Sequence, residues 1–385
     1  MSEHARRPLR TETRLTQSGR NPASQHGFVN TPVYRGSTVV FPTYDALINR
    51  RAEFHYGTDG TPTIAALENA WSELTGAAGT VLSPSGLGAV TLALLTTLKS
   101  GDHLLMTDSV YHPTRQLCGG LLAKMGITTT YYDPLIGAGI ESLIRPETTV
   151  IFLESPGSQT FEVQDVPAIT AVAKRHHVTT VIDNTWATPL FFRAHEHGCD
   201  ISLEAGTKYP GGHSDVLMGL ISANAQWWPE LRKTYDQMAM LPGAEDCFLV
   251  LRGLRTLHIR LKVAEWLQSR PEISKVLHPA FPECPGHEIW KRDFTGSSGL
   301  FSVVLNAKYT TDDLAAMLDG LDIFAMGYSW GGFESLIIPF DCSRYRTVTD
   351  WQPGGLTVRL QIGLEDTEDL IADLNAGFER LNAVH

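Results

Sequence analysis

The sequence predicts an α/β protein whose main sheet is largely parallel. Three features of the chain point there. Between about residue 62 and residue 205, short apolar runs alternate with helical stretches, as in strand–helix units wound into one sheet covered on both faces. After about residue 240 the character changes to that of a smaller α+β unit. The chain of 385 residues, 43% hydrophobic and 19% charged, can bury a large apolar surface but is longer than one core usually supports.

Residues 1–55 are polar and irregular, punctuated by Pro8, Gly19, Pro22, Gly27, Pro32 and Gly36. An arm of this size is more often laid on a partner subunit than left in solvent. Residues 80–82 then read as a strand and 88–99 as a helix closed by Gly101. The next strands are His103–Thr107, 127–132, 149–154, Thr179–Asp183 and 201–203. The clearest helix between them is 166–177, with Asp165 as N-cap and Pro167 in its first turn. Ligands of such a sheet belong at the carboxyl ends of its strands. Leu300–Leu305 is a further strand and 311–318 a helix. The closing helix, 366–381, puts Leu370, Ile371, Leu374, Phe378 and Leu381 on one stripe. The chain therefore divides into an arm (1–55), a larger domain (56–245) and a smaller C-terminal domain (246–385).

With 31 basic and 42 acidic side chains the formal net charge is −11. That balance argues against nucleic acid or an anionic membrane as the main partner, since either needs a net basic face. The best apolar run, 89–95, stops at Lys99, well short of the ~20 residues of a bilayer span. The charged start, Met1 to Arg7, is followed by no secretory core. Cys118, Cys199, Cys247, Cys284 and Cys342 are far apart, odd in number and without a CxxC pair. Free thiols in a reduced cytoplasm are expected.

Lys208 stands in Thr207-Lys208-Tyr209-Pro210-Gly211-Gly212, just past a strand. Taken alone it reads as a surface lysine. About 25 residues upstream, however, the strand Thr179–Asp183 ends in Asp183. A carboxylate at one strand's end and a lysine beyond a later strand are what pyridoxal phosphate chemistry needs. The amine holds the cofactor's aldehyde, and the carboxylate keeps the pyridine nitrogen protonated so that the ring accepts electrons. Ser83-Pro84-Ser85-Gly86-Leu87-Gly88 joins a strand to a helix and turns backbone N–H groups toward any bound anion. A plain tight turn fits the same residues. Tyr111 follows the next strand, where its ring could stack on a cofactor or pack in the core.

From about Thr13 to Asn382 the sequence resembles the pyridoxal-phosphate enzymes of cysteine and methionine metabolism. The segments that carry the resemblance begin with Tyr56-Gly57 and Gly60-Thr61-Pro62-Thr63, then Glu154-Ser155-Pro156-Gly157-Ser158 and Ile182-Asp183-Asn184-Thr185-Trp186. The Thr207-Lys208 segment follows, and then the long run from Lys291 to Gly299. Last come Tyr328-Ser329-Trp330-Gly331-Gly332-Phe333-Glu334-Ser335 and Arg359-Leu360-Gln361-Ile362-Gly363-Leu364-Glu365.

The resemblance implies the fold type I architecture of PLP-dependent transferases. It also implies β-elimination, which would break the Cβ–S bond of L-cystathionine to give homocysteine, pyruvate and ammonia in methionine biosynthesis. It assigns Lys208 to hold the cofactor and move the Cα proton, Asp183 to pair with the pyridine nitrogen, and Tyr111 to stack on the ring. Gly86, Leu87 and Thr207 would bind the phosphate, with Tyr56 reaching in from a neighbouring subunit. Ser329 would position the lysine, Arg359 would clamp the substrate α-carboxylate, and Tyr328, Ser329, Trp330 and Tyr56 would touch substrate. It further implies a small-molecule amino-acid thioether as partner and a homotetramer built from dimers that share active sites. A broader cysteine-conjugate β-lyase and a γ-acting relative share nearly every one of these residues. Trp330 is the discriminator, since γ-acting relatives tend to carry a smaller aliphatic residue there. A non-catalytic scaffold that kept the fold would not need Lys208, Asp183, Tyr111 and Arg359 together.

Three positions depart from the family pattern. Thr58 stands where an arginine often adds a cross-subunit phosphate contact. Pro210 replaces an aliphatic residue after Thr-Lys-Tyr. Arg260-Leu261 runs straight into Lys262, where relatives carry roughly two more helical turns.

Arg359 lies in the strand-like run 357–362 among apolar neighbours and needs an anionic partner, either substrate or an acidic residue such as Glu334. No metal is expected. His195-Glu196-His197-Gly198-Cys199 lacks the further ligands of a tetrahedral site. His176-His177 suits a helix C-terminus, and Trp227-Trp228 suits packing or an interface.

Overall fold

In a computed structural model that describes residues 15–256 and 262–383, the chain builds two sheets. The strands β1 (Gly79–Ser83), β2 (His103–Thr107), β3 (Thr128–Tyr132), β4 (Thr148–Glu154), β5 (Thr179–Asp183), β6 (Ile201–Ala205) and β7 (Gly219–Ala223) form the larger one. Its order is β1-β7-β6-β5-β4-β2-β3. β2 to β6 pair in parallel, and β7 runs antiparallel to both β1 and β6. The mainly parallel sheet expected from the sequence is present, with one reversed strand. Its direction follows from the connection: residues 206–218 return from the end of β6 without the crossover helix a parallel strand would need. Lys208 sits on that return.

Along the central strands, alternate residues enter opposite cores. Leu105, Ile151, Leu153 and Ile182 pack with Val166, Ile169 and Val172 of the helix Val166–Arg175. Leu104, Met106, Val150, Phe152 and Val181 pack with Val90 and Leu94 of the helix Gly86–Thr97 and with Tyr235 of Trp228–Met238. Burial on both faces is why these strands read as continuous apolar runs.

The smaller sheet holds β8 (Ile273–Leu277), β9 (Leu300–Leu305), β10 (Leu336–Phe340) and β11 (Thr357–Gln361), all antiparallel, in the order β10-β11-β9-β8. Leu370, Leu374, Phe378 and Leu381 of the helix Thr367–Ala383 enter its core as the stripe predicts, while Ile371 lies half-buried at the margin. Asp373 on that helix is buried, and its carboxylate accepts the N–H groups of Asp322, Ile323 and Phe324.

Helix boundaries shift in two helices of the larger unit. The helix expected at 88–99 is Gly86–Thr97, because Ser85 caps it by accepting the Gly88 N–H at 3.0 Å. Leu98 is already extended, and Gly101, at φ +91°, shapes the turn before β2 rather than closing the helix. The helix expected at 166–177 begins as predicted, with Asp165 accepting the Ala168 N–H, but ends at Arg175. His176 follows as its C-cap and pairs with Glu141 at 2.7 Å.

The described part of the arm contains short turns and the helix Tyr44–Ile48, and the isolated bridge Thr38–Tyr56 ties it to the start of the larger unit. The junction of Arg260 and Leu261 lies outside the described residues. His195, His197 and Cys199 do not converge: the His195 ring bonds the Cys199 carbonyl, His197 stacks on Phe192, and Cys199 is buried. Trp227 and Trp228 pack against the larger core.

Candidate active site

The carboxyl ends of β1, β2, β4, β5 and β6 meet the edge of the smaller sheet around a cavity of about 670 Å³. Gly86 and Leu87 enter it from the turn after β1, Tyr111 from the segment after β2, and Asp183 from the tip of β5. Thr207 and Lys208 follow β6. Tyr328, Ser329 and Trp330 come from the loop before β10, and Arg359 from β11. These residues, spread over more than 270 positions of sequence, share one cavity because parallel strands deliver their ends to one edge. Tyr56 is not among the cavity walls; it lies 53% exposed beside the arm, with Thr58 exposed on the same turn.

Lys208 Nζ donates to Ser329 Oγ at 2.5 Å and stands 5.2 Å from the Trp330 ring centre. Burial, helped by the positive charge of Arg359 and opposed by Asp183, pulls the Lys208 ammonium down to about 8. A lysine so tuned gives up its proton readily near neutral pH. The turn after it closes on itself, Gly211 N–H bonding the Gly206 carbonyl and Gly212 N–H the Lys208 carbonyl, both at 2.8 Å. Pro210, without an N–H, fits between them. Gly331, at φ +86°, lies directly on this turn: a Cβ there would fall 2.8 Å from Tyr209 N and 2.9 Å from Lys208 C. Ser329 itself is a non-glycine residue at φ +79°, a sparsely populated conformation. It presents its hydroxyl to Lys208 and its carbonyl to Arg359 Nη2, at 2.8 Å.

Asp183 Oδ1 accepts from the Thr185 N–H at 3.0 Å and the Thr185 hydroxyl at 2.5 Å. Burial pushes its carboxyl up, and those hydrogen bonds and Lys208 pull against that. Beside it in register on β4 is Glu154, whose Oε2 accepts the Tyr111 N–H at 2.8 Å. Burial, reinforced by the Asp183 charge, holds Glu154 well above the usual carboxylate range. Tyr111 is 47% exposed and faces the cavity, which rules out a packed core ring.

Arg359 is buried, and burial pulls its guanidinium down to about 10. No carboxylate among the described residues pairs with it, and its Nε has no acceptor. Glu334, the acidic residue that might have neutralised it, instead accepts from the Ser214 hydroxyl.

Pyridoxal phosphate fits this set. The Asp183 carboxylate, held at one oxygen and costly to bury alone, suits a protonated pyridine nitrogen. The first-turn N–H groups of the helix Gly86–Thr97 suit a phosphate, in a cradle so close that a Cβ on Gly86 would sit 2.8 Å from Ala205 Cβ. Thr207 Oγ1 is already engaged with the Met218 backbone.

Sequence reasoning named Lys208, Asp183, Tyr111 and Arg359, but gave no role to Glu154, Thr185 or Gly331. Glu154 closes a strand next to Asp183, a signal that exists once strand order is known.

The model of the Cys/Met metabolism PLP-dependent enzyme family matches residues 12–379. A protein of Saccharomyces cerevisiae described as a putative cystathionine beta-lyase is 62% identical over 83% of this chain and 96% of its own. The cystathionine beta-lyase of Escherichia coli is 45% identical over 96% of this chain and 98% of its own. The crystal structure of a cystathionine gamma synthase from Xanthomonas oryzae in complex with cystathionine superimposes with a TM-score of 0.89 at 28% identity, covering 98% of this chain and all of that one. The chain belongs to the PLP-dependent enzymes of cysteine and methionine metabolism.

Proposed function

We propose that the protein breaks the Cβ–S bond of L-cystathionine by β-elimination in methionine biosynthesis. Homocysteine leaves, and addition of water to the remaining three-carbon fragment yields pyruvate and ammonia. Pyridoxal phosphate, when bound, supplies the electron sink that makes the Cα–H bond acidic. The protein's own side chains bind, orient and move protons. Arg359 holds the substrate α-carboxylate, and Lys208 Nζ, steered by Ser329 Oγ, takes the Cα proton. With the cofactor bound, Asp183 would face the pyridine nitrogen, Tyr111 would stack on the ring, and Gly86 and Leu87 would hold the phosphate, whereas the Thr207 hydroxyl and N–H, expected there from the sequence, are spent on the Met218 backbone.

Arg359 carries this reading. A buried guanidinium without a carboxylate partner, a few residues in space from a lysine tuned to lose its proton, calls for a substrate that brings the anion. Trp330 favours the β over the γ reading: its ring centre stands 5.2 Å from Lys208 Nζ, at the position where the family resemblance implies a smaller aliphatic side chain in γ-acting enzymes. Incubation with L-cystathionine tests it: pyruvate and homocysteine are expected. 2-Oxobutyrate with cysteine would establish the γ reading instead.

Arg359→Lys is expected to raise KM roughly 10- to 100-fold, the worth of a hydrogen bond to a charged group. The bound-cofactor spectrum and the melting temperature should stay close to those of the parent. Unfolding with an unchanged KM would make Arg359 a structural residue.

We further propose that the chain works in the cytoplasm as a homotetramer built from dimers that share active sites, divided as an arm to residue 55, a cofactor domain to 245 and a small domain beyond. Val40, Tyr44 and Phe28 of the arm are 87%, 79% and 71% exposed, apolar surface that a second copy would cover. Tyr56, outside its own cavity, is then free to complete a neighbour's phosphate site. Sedimentation at assay concentration should give at least a dimer; a fully active monomer would refute this assembly.

A further inference from the structure

Between β10 and β11 the chain leaves the smaller sheet, and residues 341–351 form a strap that reaches the larger one. Its receptor is Asp108, at the carboxyl end of β2 and three residues before Tyr111, with no exposed surface. Asp108 Oδ1 accepts the Thr347 N–H at 3.0 Å, the Thr347 hydroxyl at 3.2 Å and Arg115 Nη2 at 2.5 Å. Oδ2 accepts the Val348 N–H at 3.1 Å, and the Thr349 N–H and hydroxyl at 2.9 Å each. Consecutive backbone N–H groups turned onto one anion make a concave anion site, and here a side chain of the other sheet fills it. One residue upstream on the strap, Arg346 Nη1 reaches Glu162 Oε1 at 2.8 Å, beside the cavity wall formed by Pro156, Gly157 and Phe161. Burial pushes the Asp108 carboxyl up, but the Thr349 and Thr347 N–H groups, Arg115 and the Val348 N–H outweigh it and hold it at about 2.

The two ends of the connection matter to the site. From the end of β2 the chain turns through Asp108 to Tyr111. The strap begins after β10, passes Tyr345, whose ring lies 4.6 Å from His112 on the cavity wall, and returns into β11, which carries Arg359. A substrate held by Arg359 and presented to a ring stacked on Tyr111 must touch both sheets at once. The spacing of those contacts is therefore fixed where the sheets are bound to each other. We propose that Asp108 is a positioning residue: by capturing the strap's backbone it sets Arg359 of the smaller sheet in register with Tyr111 of the larger one. The inference rests on the β-elimination reading above.

Asp108→Asn tests it. An amide keeps the shape but turns an N–H toward backbone donors, so the strap is displaced rather than merely loosened. The holoenzyme variant should show kcat/KM for L-cystathionine reduced at least about 30-fold, with a raised KM. Below its melting temperature the visible circular dichroism of the bound cofactor should also change. A role confined to stability would lower the melting temperature and leave both readouts of the folded holoenzyme intact. The double variant Thr347→Val, Thr349→Val removes the hydroxyl donors but keeps every N–H. It should lose activity less, about 3- to 10-fold, with a smaller dichroism change. Should Asp108→Asn fail to fold, the double variant decides. Folded holoenzyme of either variant with kcat/KM within 3-fold of the parent and an unchanged cofactor band would overturn the proposal. Absence of pyruvate from the parent enzyme would instead overturn the functional reading, so the two failures are distinguishable.

Discussion

Lys208→Ala is expected to lower turnover of L-cystathionine by roughly 10³-fold or more, since under the proposed function the substitution would remove a positioned acid–base group and the cofactor's anchor together. Three features of the site make the loss so large. Lys208 is the lysine at the cavity wall, its Nζ is fixed by Ser329 Oγ at 2.5 Å, and burial brings its proton affinity to about 8. Glu154 does not replace it, because it is held well above the usual carboxylate range by burial and is occupied with the Tyr111 N–H. The fold should survive, as the turn around Lys208 is closed by backbone hydrogen bonds that an alanine keeps. Steady-state kinetics together with the far-UV dichroism of the variant check both halves. Turnover within tenfold of the parent would remove Lys208 from the chemistry.

Asp183→Asn is the second large effect. Asn retains an oxygen for the Thr185 N–H and hydroxyl, so the tip of β5 should keep its shape. What would disappear is the negative charge that the proposed function sets beside the pyridine nitrogen. A neutral pyridine withdraws electrons poorly, and turnover should fall on the order of 10²-fold or more, comparable to removing one electrostatic group aimed at a transition state. The cofactor should still bind, because the phosphate cradle at Gly86 and Leu87 is untouched. Cofactor content measured beside kcat separates the two. Near-normal kcat with a full complement of cofactor would show that the charge is not used.

The residue types of the site were legible in the sequence because each follows an apolar run that can only be a buried strand. Asp183, Lys208 and Tyr111 each stand just past such a run, and parallel order sends them to one edge. β7 was not legible: Gly219-Leu220-Ile221-Ser222-Ala223 is short, and only the return from β6 determines its direction. The partner of Arg359 was also undetermined, since sequence alone allowed Glu334. The structure gives Glu334 to Ser214. Ser329 shows a further limit. Its positive φ arises from packing between the Lys208 turn and Arg359, not from any preference of serine. Asp108 reads as an ordinary turn residue until the strap is folded over it, because its partners on the strap lie about 240 residues away in sequence.

Reduction of the holoenzyme with borohydride, followed by peptide mapping, tests the central claim that this cavity is the pyridoxal phosphate site with Lys208 as its covalent anchor. The reduced cofactor is expected on the peptide containing Thr207-Lys208-Tyr209 and on no other. A label on a different lysine, such as Lys262 or Lys291, would contradict the account.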